Sequence, residues 1–136
     1  MYPLTFELKS FEASTQAGKV RTLLALLEAL IASNMAYLEV VPNAPMLYNA
    51  GIRYTPDEVG DEKWKDIPQV LATRAGNCKE FASWRVAELR ARGDDLARPI
   101  VVTTQEGPRT LFHIVVRRGD GIIEDPSRIL GMPEPT

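Results

Sequence analysis

The spacing of apolar residues predicts a strand and a helix in the first part of the chain. Residues 4–9 alternate between apolar and polar types, as a half-buried strand does. Ser14 or Thr15 can cap a helix whose apolar residues recur at helical spacing to about Asn34. These apolar residues form a broad stripe along one face of the helix, which predicts that most of the helix is buried. Residues 41–62 contain three prolines and two glycines, and are expected to form irregular surface.

The second part of the chain reads as helices followed by strands. A short helix is predicted over residues 65–73, with Pro68 in its first turn. A longer one is predicted from Cys78 to Arg92, ended by Gly93 in the left-handed conformation. Three strands are then expected over residues 99–104, 110–118 and 121–125. Strands grouped after helices, without alternation, predict the α+β class with helices on a small antiparallel sheet.

Length and composition limit the possible functions. A chain of 136 residues predicts one domain, 1–136, and a net charge of -2 argues against nucleic-acid binding. The single cysteine cannot form an internal disulfide or a thiolate zinc site, so the default prediction is a cytoplasmic protein. Glu58, Asp61 and Glu62 are not spaced as a calcium loop, so no metal is expected, and no cofactor is predicted. No secretory signal is evident at the start, and the apolar run 23–32 is interrupted by Glu28 and too short to span a bilayer. No membrane association is therefore expected.

The only cysteine, Cys78, is predicted to lie at the start of a helix. The partial positive charge and free N–H groups of a helix N-terminus lower a thiol pKa and can hold an oxyanion. Gly76 would let the backbone turn just before it. The alternative is that Cys78 is a small buried apolar residue, which is common for a free cysteine. Glu80 and Arg85 on the same helix are expected on a solvated face.

The only histidine, His113, interrupts an apolar strand, and Asp125 ends the next strand. A three-residue loop over residues 118–120 would pair Arg117 with Gly121 and place His113 directly opposite Asp125. A two-residue loop would instead pair His113 with a neighbour of Asp125. His113 could also be a core histidine bonded to a carbonyl, and Asp125 could simply open a turn. A thiol, an imidazole and a carboxylate in this order are the parts of a nucleophile, its base and its orienting group.

The segments Gly76-Asn77-Cys78-Lys79-Glu80-Phe81-Ala82 and Glu124-Asp125-Pro126-Ser127, with the histidine strand between them, resemble the transglutaminase-like superfamily of papain-type cysteine enzymes. The likeness covers roughly residues 64–128 and is also similar to short members encoded by bacteriophages. It implies a papain-like core in which Cys78 is the nucleophile, His113 the general base and acid, and Asp125 the residue that orients the imidazole.

The resemblance also implies a reaction. Members cleave or exchange amide bonds through a thioester and use no metal, so the expected substrate is a peptide or protein amide. A phage origin would add virion proteins as possible partners and a virion-associated location. Gln69 and Asn49 have side chains suited to a second oxyanion donor, but no motif supports either. The alternative function is an inactive scaffold of this fold that serves as a binding or virion structural module.

Overall fold

The computed structural model describes residues 4–5, 7–58 and 60–134. Within those residues the fold is mixed, with four α-helices, a three-stranded antiparallel sheet and a two-stranded parallel pair. The elements are α1 (Gln16–Val40), a 3-10 helix (Leu47–Asn49), β1 (Arg53–Tyr54), α2 (Ile67–Thr73), β2 (Ala75–Gly76), α3 (Cys78–Ala91), β3 (Arg98–Glu106), β4 (Arg109–Arg117), β5 (Ile123–Glu124) and α4 (Pro126–Ile129). The predicted antiparallel sheet and the helices that pack on it are confirmed, whereas the parallel pair was not expected.

The first helix begins where the sequence predicts and ends later. Thr15 is the N-cap, and its hydroxyl accepts a hydrogen bond from the N–H of Gly18 at 3.0 Å. The predicted end at Asn34 is wrong, because Met35 and Leu38 continue the stripe that packs on the core. The predicted burial of most of the helix is also wrong. The buried residues of α1 are Leu23, Leu27, Leu30, Ile31 and Asn34.

Helix α1 is also long and apolar enough, by length and composition, to cross a membrane. Its most apolar 18-residue window has a mean hydropathy of 1.6, and 22% of that window is buried in the fold. A stripe of this helix packs on α3, as a core helix does in a soluble protein. The structure is compatible with a soluble protein, and the cytoplasmic location stays a prediction.

Two segments differ from their predictions. The described residues of the expected strand 4–9 form no strand, and Leu4 is 83% exposed; position 6 lies outside the described residues. Residues 41–62 are not all surface, since Leu47 and Ile52 are buried. In the same segment β1 pairs in parallel with β2, with Tyr54 opposite Gly76. Two-residue strands are too short to show an alternating pattern, which is why the sequence did not reveal them.

Helix α3 lies at the centre of the fold, and its predicted limits are confirmed within one residue. It begins at Cys78 with Asn77 as N-cap, and Gly93 (φ 101°) ends it as predicted. The N–H of Asp94 donates to the carbonyl of Leu89 at 2.9 Å, which closes a Schellman motif. One side of α3 packs on α1 and β4, and the other packs on α2 and the 3-10 helix.

Buried charges, rather than solvated ones, occupy part of α3. Glu80 is 1% exposed, and the Arg85 side chain is 12% exposed, so their predicted solvated face is wrong. The Arg85 guanidinium donates to both carboxylate oxygens of Glu124 at 2.8 and 3.1 Å and to Glu88 at 3.2 Å. The hydroxyl of Tyr48 donates to the same Glu124 carboxylate at 2.6 Å. This network joins α3 to β5 and to the 3-10 helix.

The sheet has the predicted strand order in a different register. β4 pairs antiparallel with β3 and, at its far end, with β5. Arg117 lies opposite Ile123 rather than Gly121, so the predicted register is wrong by two residues. The N–H of Arg118 donates to the carbonyl of Ile122 at 2.9 Å, which moves the three-residue loop one position along the chain. A shift of two residues leaves every side chain on its predicted face.

Candidate active site

Cys78 is the first residue of α3, as the sequence predicts. The Asn77 side chain accepts from the N–H groups of Lys79 and Glu80 at 3.2 and 3.4 Å, while the Glu80 carboxylate accepts from the Asn77 N–H at 3.1 Å. This capping box satisfies the next two donors of the helix. Among the described residues, no other residue accepts from the N–H of Cys78, and this donor lies beside the Cys78 sulfur, where it can reach an oxyanion.

Gly76 is required by close packing rather than by a sharp turn. Its φ does not lie in the left-handed region, and it forms part of β2. A Cβ atom at this position would lie 2.7 Å from Cε1 of Phe81 and 3.1 Å from a carboxylate oxygen of Glu80. The absence of a side chain therefore lets the chain pass over Phe81 immediately before Cys78.

The thiol of Cys78 is partly buried, and its pKa is raised, whereas the sequence predicts that it is lowered. Burial raises the pKa of Cys78, and this effect exceeds the lowering by the N–H of Ile114, the charge of Lys79 and the first N–H groups of the helix. The N–H groups at the helix start thus lower the thiol pKa as predicted, but burial outweighs them and the net shift is upward. At neutral pH the resting group is a thiol, and a base must remove its proton before it can attack.

His113 and Asp125 are in direct contact. The His113 Nε2 atom lies 2.9 Å from Asp125 Oδ2. Asp125 has left β5 and is the N-cap of α4, where its other carboxylate oxygen accepts from the N–H of Arg128 at 3.4 Å. Because Nε2 faces a carboxylate acceptor, this hydrogen bond assigns the proton to Nε2 and leaves Nδ1 as the basic nitrogen. The predicted contact is present, although the register predicted to make it is not.

Cys78 and His113 are adjacent without being joined by a hydrogen bond. The sulfur lies beside the N–H of Ile114, the residue bonded to His113. Among the hydrogen bonds of the described residues, none joins the thiol to the imidazole, and His113 does not line the cavity that contains Cys78. The structure thus brings together His113 with Asp125, and Cys78 with the backbone of the histidine strand.

The cavity beside Cys78 has a volume of about 340 Å³ and is lined by both apolar and charged residues. Tyr54 lines it from β1, and its phenol has no hydrogen-bond partner among the described residues. Burial, followed by the negative charges of Cys78 and Asp57, raises the pKa of Tyr54. A phenol held protonated beside the sulfur can donate a hydrogen bond to a bound carbonyl oxygen. Of the earlier candidates, Gln69 instead closes the capping box of α2.

Asp57 supports the start of α3 from the other side of the cavity, and the sequence analysis did not identify it. Its Oδ2 atom accepts from Asn77 Nδ2 at 2.8 Å and from Lys79 Nζ at 3.4 Å. Lys79 Nζ also lies 4.9 Å from the centroid of the Trp64 ring. These contacts hold the capping side chain of Asn77 in position. A sequence signal for them was absent, because Asp57 lies in an irregular segment 20 residues before its partner.

Within the described parts of the chain, no group of three His, Cys, Asp or Glu side chains is arranged to hold a metal ion. A comparison of the chain with protein-family models, curated proteins and solved structures found no match. The likeness to transglutaminase-like enzymes therefore depends on the residues quoted from the sequence.

Proposed function

We propose that this protein is a cysteine-dependent amide-bond hydrolase or acyltransferase with a papain-like core of the transglutaminase type. The main support is the His113–Asp125 hydrogen bond of 2.9 Å on a strand whose next peptide N–H lies beside the Cys78 sulfur. The open cavity at the sulfur and the N–H of Cys78 provide a place for a carbonyl group and its developing charge. The substrate class is a peptide or protein amide.

In the proposed reaction, His113 Nδ1 accepts the proton of the Cys78 thiol as the sulfur attacks the amide carbonyl. The negative charge that develops on the carbonyl oxygen is held by the N–H of Cys78. Collapse of the tetrahedral intermediate breaks the C–N bond, and the imidazolium returns its proton to the leaving amine. Water or a second amine, deprotonated by His113, then attacks the thioester and releases the thiol. Asp125 keeps the imidazole in the required tautomer throughout.

The mechanism requires the sulfur and the imidazole to come within hydrogen-bond distance when a substrate binds, since no direct hydrogen bond joins them among the described residues. Catalytic hydrogen bonds are often long in unliganded enzymes and shorten in the substrate complex. Because burial raises the pKa of the thiol, His113 acts as a general base rather than as the partner of a preformed thiolate.

The test is the rate of alkylation of Cys78 by iodoacetamide as a function of pH, in the wild type and in His113→Ala. The proposal predicts that the wild-type rate depends on pH through His113 as well as through the thiol, so that its profile has two inflections. His113→Ala should lose the inflection due to His113 and react at least about tenfold more slowly at pH 7. Val102→Ala is the matched control, because Val102 lies opposite His113 on β3 and does not titrate.

A second function, a non-catalytic binding scaffold, is favoured by two observations: the raised pKa of Cys78 and the lack of a hydrogen bond from its thiol to His113. It predicts a single inflection above the ordinary thiol pKa of 9.0, identical in the wild type and in His113→Ala. Identical profiles would therefore reject the enzymatic proposal in favour of the scaffold.

A further inference from the structure

The middle strand of the antiparallel sheet is paired along only part of its second edge. β4 extends from Arg109 to Arg117, but β5 covers only Val116 and Arg117. Over residues 110–114, no strand in the described part of the chain lies along this edge. An unpaired edge of this kind presents backbone donors and acceptors to another chain.

The hydrogen-bond pattern identifies which residues face this edge. In an antiparallel ladder, the N–H and C=O of one residue point to the same neighbouring strand. The N–H of Arg118 donates to Ile122 on the β5 side. Because the direction alternates along a strand, the main-chain groups of Ile114, Phe112 and Thr110 point to that side as well. The residues between them point to β3, in agreement with the tight turn that joins β3 to β4.

This edge leads directly to the thiol. Thr110, Phe112 and Ile114 all line the cavity that contains Cys78, and the sulfur lies beside the N–H of Ile114. The N–H of Ile114 is the edge donor nearest the sulfur, and those of Phe112 and Thr110 have no partner among the described residues. Residues 110–114 span about 13 Å at the usual rise of a strand, which is room for four or five residues of an added segment.

We propose that the free edge of β4 binds an extended peptide segment as an additional strand, through the main-chain groups of Phe112 and Thr110. A segment in this position runs towards Cys78 and brings one of its carbonyl groups to the sulfur. The identification of this peptide as the amide substrate rests on the proposed function. Binding itself requires only the edge and the cavity, so it is equally open to a scaffold without catalysis.

The surroundings of the edge favour a peptide with an apolar residue. Phe11, Leu23 and the ring of Phe112 form an apolar wall of the cavity, on which alternate side chains of an added strand would pack. The opposite edge of the sheet, on β3, does not offer the same site. Pro99 occupies an outward-facing position of β3 and has no N–H to donate, and β3 does not line the cavity of Cys78.

The experiment attaches peptides to Cys78, the only cysteine of the chain, through a reversible disulfide. Two probes are used, acetyl-Val-Thr-Leu-Val-Cys amide and acetyl-Cys-Val-Leu-Thr-Val amide, because the direction of the added strand decides which end lies at the sulfur. Each probe is supplied as its mixed disulfide with 2-mercaptoethanol, so that exchange with the Cys78 thiol releases 2-mercaptoethanol. It competes with the same mixed disulfide of acetyl-cysteine amide, and intact-mass spectrometry gives the equilibrium constant. We expect one probe to exceed acetyl-cysteine amide by at least about tenfold, since each main-chain hydrogen bond contributes about fivefold.

Two N-methylated forms of the better probe provide the matched control. Methyl groups on the alternate amides that face β4 should weaken attachment by about fivefold each, whereas methyl groups on the outward amides should leave it unchanged.

On the protein side, Thr110→Pro removes an edge N–H without changing the hydrogen bonds between β4 and β3, and Thr110→Val keeps that N–H. Thr110→Pro should weaken attachment about fivefold relative to Thr110→Val. The amide of Phe112 should exchange hydrogen more slowly when the probe is attached.

The proposal is overturned if the two N-methylated forms attach equally well, or if neither probe exceeds acetyl-cysteine amide. It does not depend on Thr110→Pro being folded, because the methylated probes test the same hydrogen bonds on the wild-type protein. Attachment needs no turnover, so the two proposals can fail separately. If a peptide probe attaches as expected while the alkylation profiles of the wild type and His113→Ala are identical, the peptide-binding edge is supported and the enzymatic function is rejected. If His113→Ala changes the alkylation profile as expected but neither probe exceeds acetyl-cysteine amide, the enzymatic function is supported and the peptide-binding edge is rejected.

Discussion

Replacing Gly76 by alanine tests how tightly packing fixes the start of α3. A Cβ atom at position 76 would lie 2.7 Å from Cε1 of Phe81, whereas ordinary contacts begin near 3.4 Å, so the ring must move by about 0.7 Å. Phe81 is fully buried in a close-packed cluster with Trp84 and Ile67, which leaves the ring little space for this movement. Overpacking of this kind costs about 1–3 kcal/mol. We expect Gly76→Ala to lower the free energy of unfolding by that amount in urea denaturation.

A double-mutant cycle shows whether Phe81 is the cause. Phe81→Leu removes the atom that the new methyl group meets, so Gly76→Ala should cost at least about 1 kcal/mol less in the Phe81→Leu background than in the wild type. Gly93→Ala is the matched control, because its φ of 101° makes alanine unfavourable while no atom lies within 4 Å of the new Cβ. Its cost should be the same in both backgrounds. A Gly76→Ala loss below about 0.5 kcal/mol, or the absence of coupling, would refute the packing explanation.

Two further variants test buried polar groups. Burial raises the pKa of Glu80 above its ordinary value of 4.5, so the folded protein keeps the Glu80 proton to higher pH than the unfolded chain does. The stability that this proton contributes is therefore lost as pH rises through the raised pKa. The unfolding free energy of the wild type minus that of Glu80→Gln should therefore fall as pH rises above 4.5, and a rise in this difference would contradict the reasoning. Tyr48→Phe removes a 2.6 Å hydrogen bond to the Glu124 carboxylate and should cost about 1.5–3 kcal/mol in urea denaturation. A loss below about 0.5 kcal/mol would show that the bond adds little beyond the one from Arg85.

The elements that the sequence predicts well are those with local start and stop signals. Asn77 and Gly93 mark α3 within one residue, because a capping side chain and a left-handed glycine act on adjacent backbone groups. The end of α1 was missed because Asn34 acts through tertiary structure. Asn34 is fully buried, and its side-chain oxygen accepts from the N–H of Ile67 at 2.9 Å, which fixes the start of α2 rather than the end of α1. The β1–β2 pair likewise depends on a contact between distant residues.

The sequence predicts which residues form the candidate site, but it does not predict the pKa of the Cys78 thiol. The contact between His113 and Asp125 is present as predicted, but Asp125 makes it from the N-cap of α4 and not from a paired position of the strand. The pKa of Cys78 depends on how deeply the thiol is buried, which helix position alone does not determine. Asp57 approaches the same helix end through a long irregular segment, so its role depends on the fold of that segment.

Asp125 performs two tasks whose geometries depend on each other. One carboxylate oxygen caps α4, and the other holds the His113 ring. The cap fixes the direction of the carboxylate, so the orientation of the imidazole depends on α4 remaining folded. Ser127 in that helix is fully buried, and α4 packs against α3 and β4. A short final helix thus takes part in the site, although no residue of it provides chemistry. The same arrangement explains how the contact survives the register shift: Asp125 reaches the histidine from a helix N-cap rather than from a paired strand position.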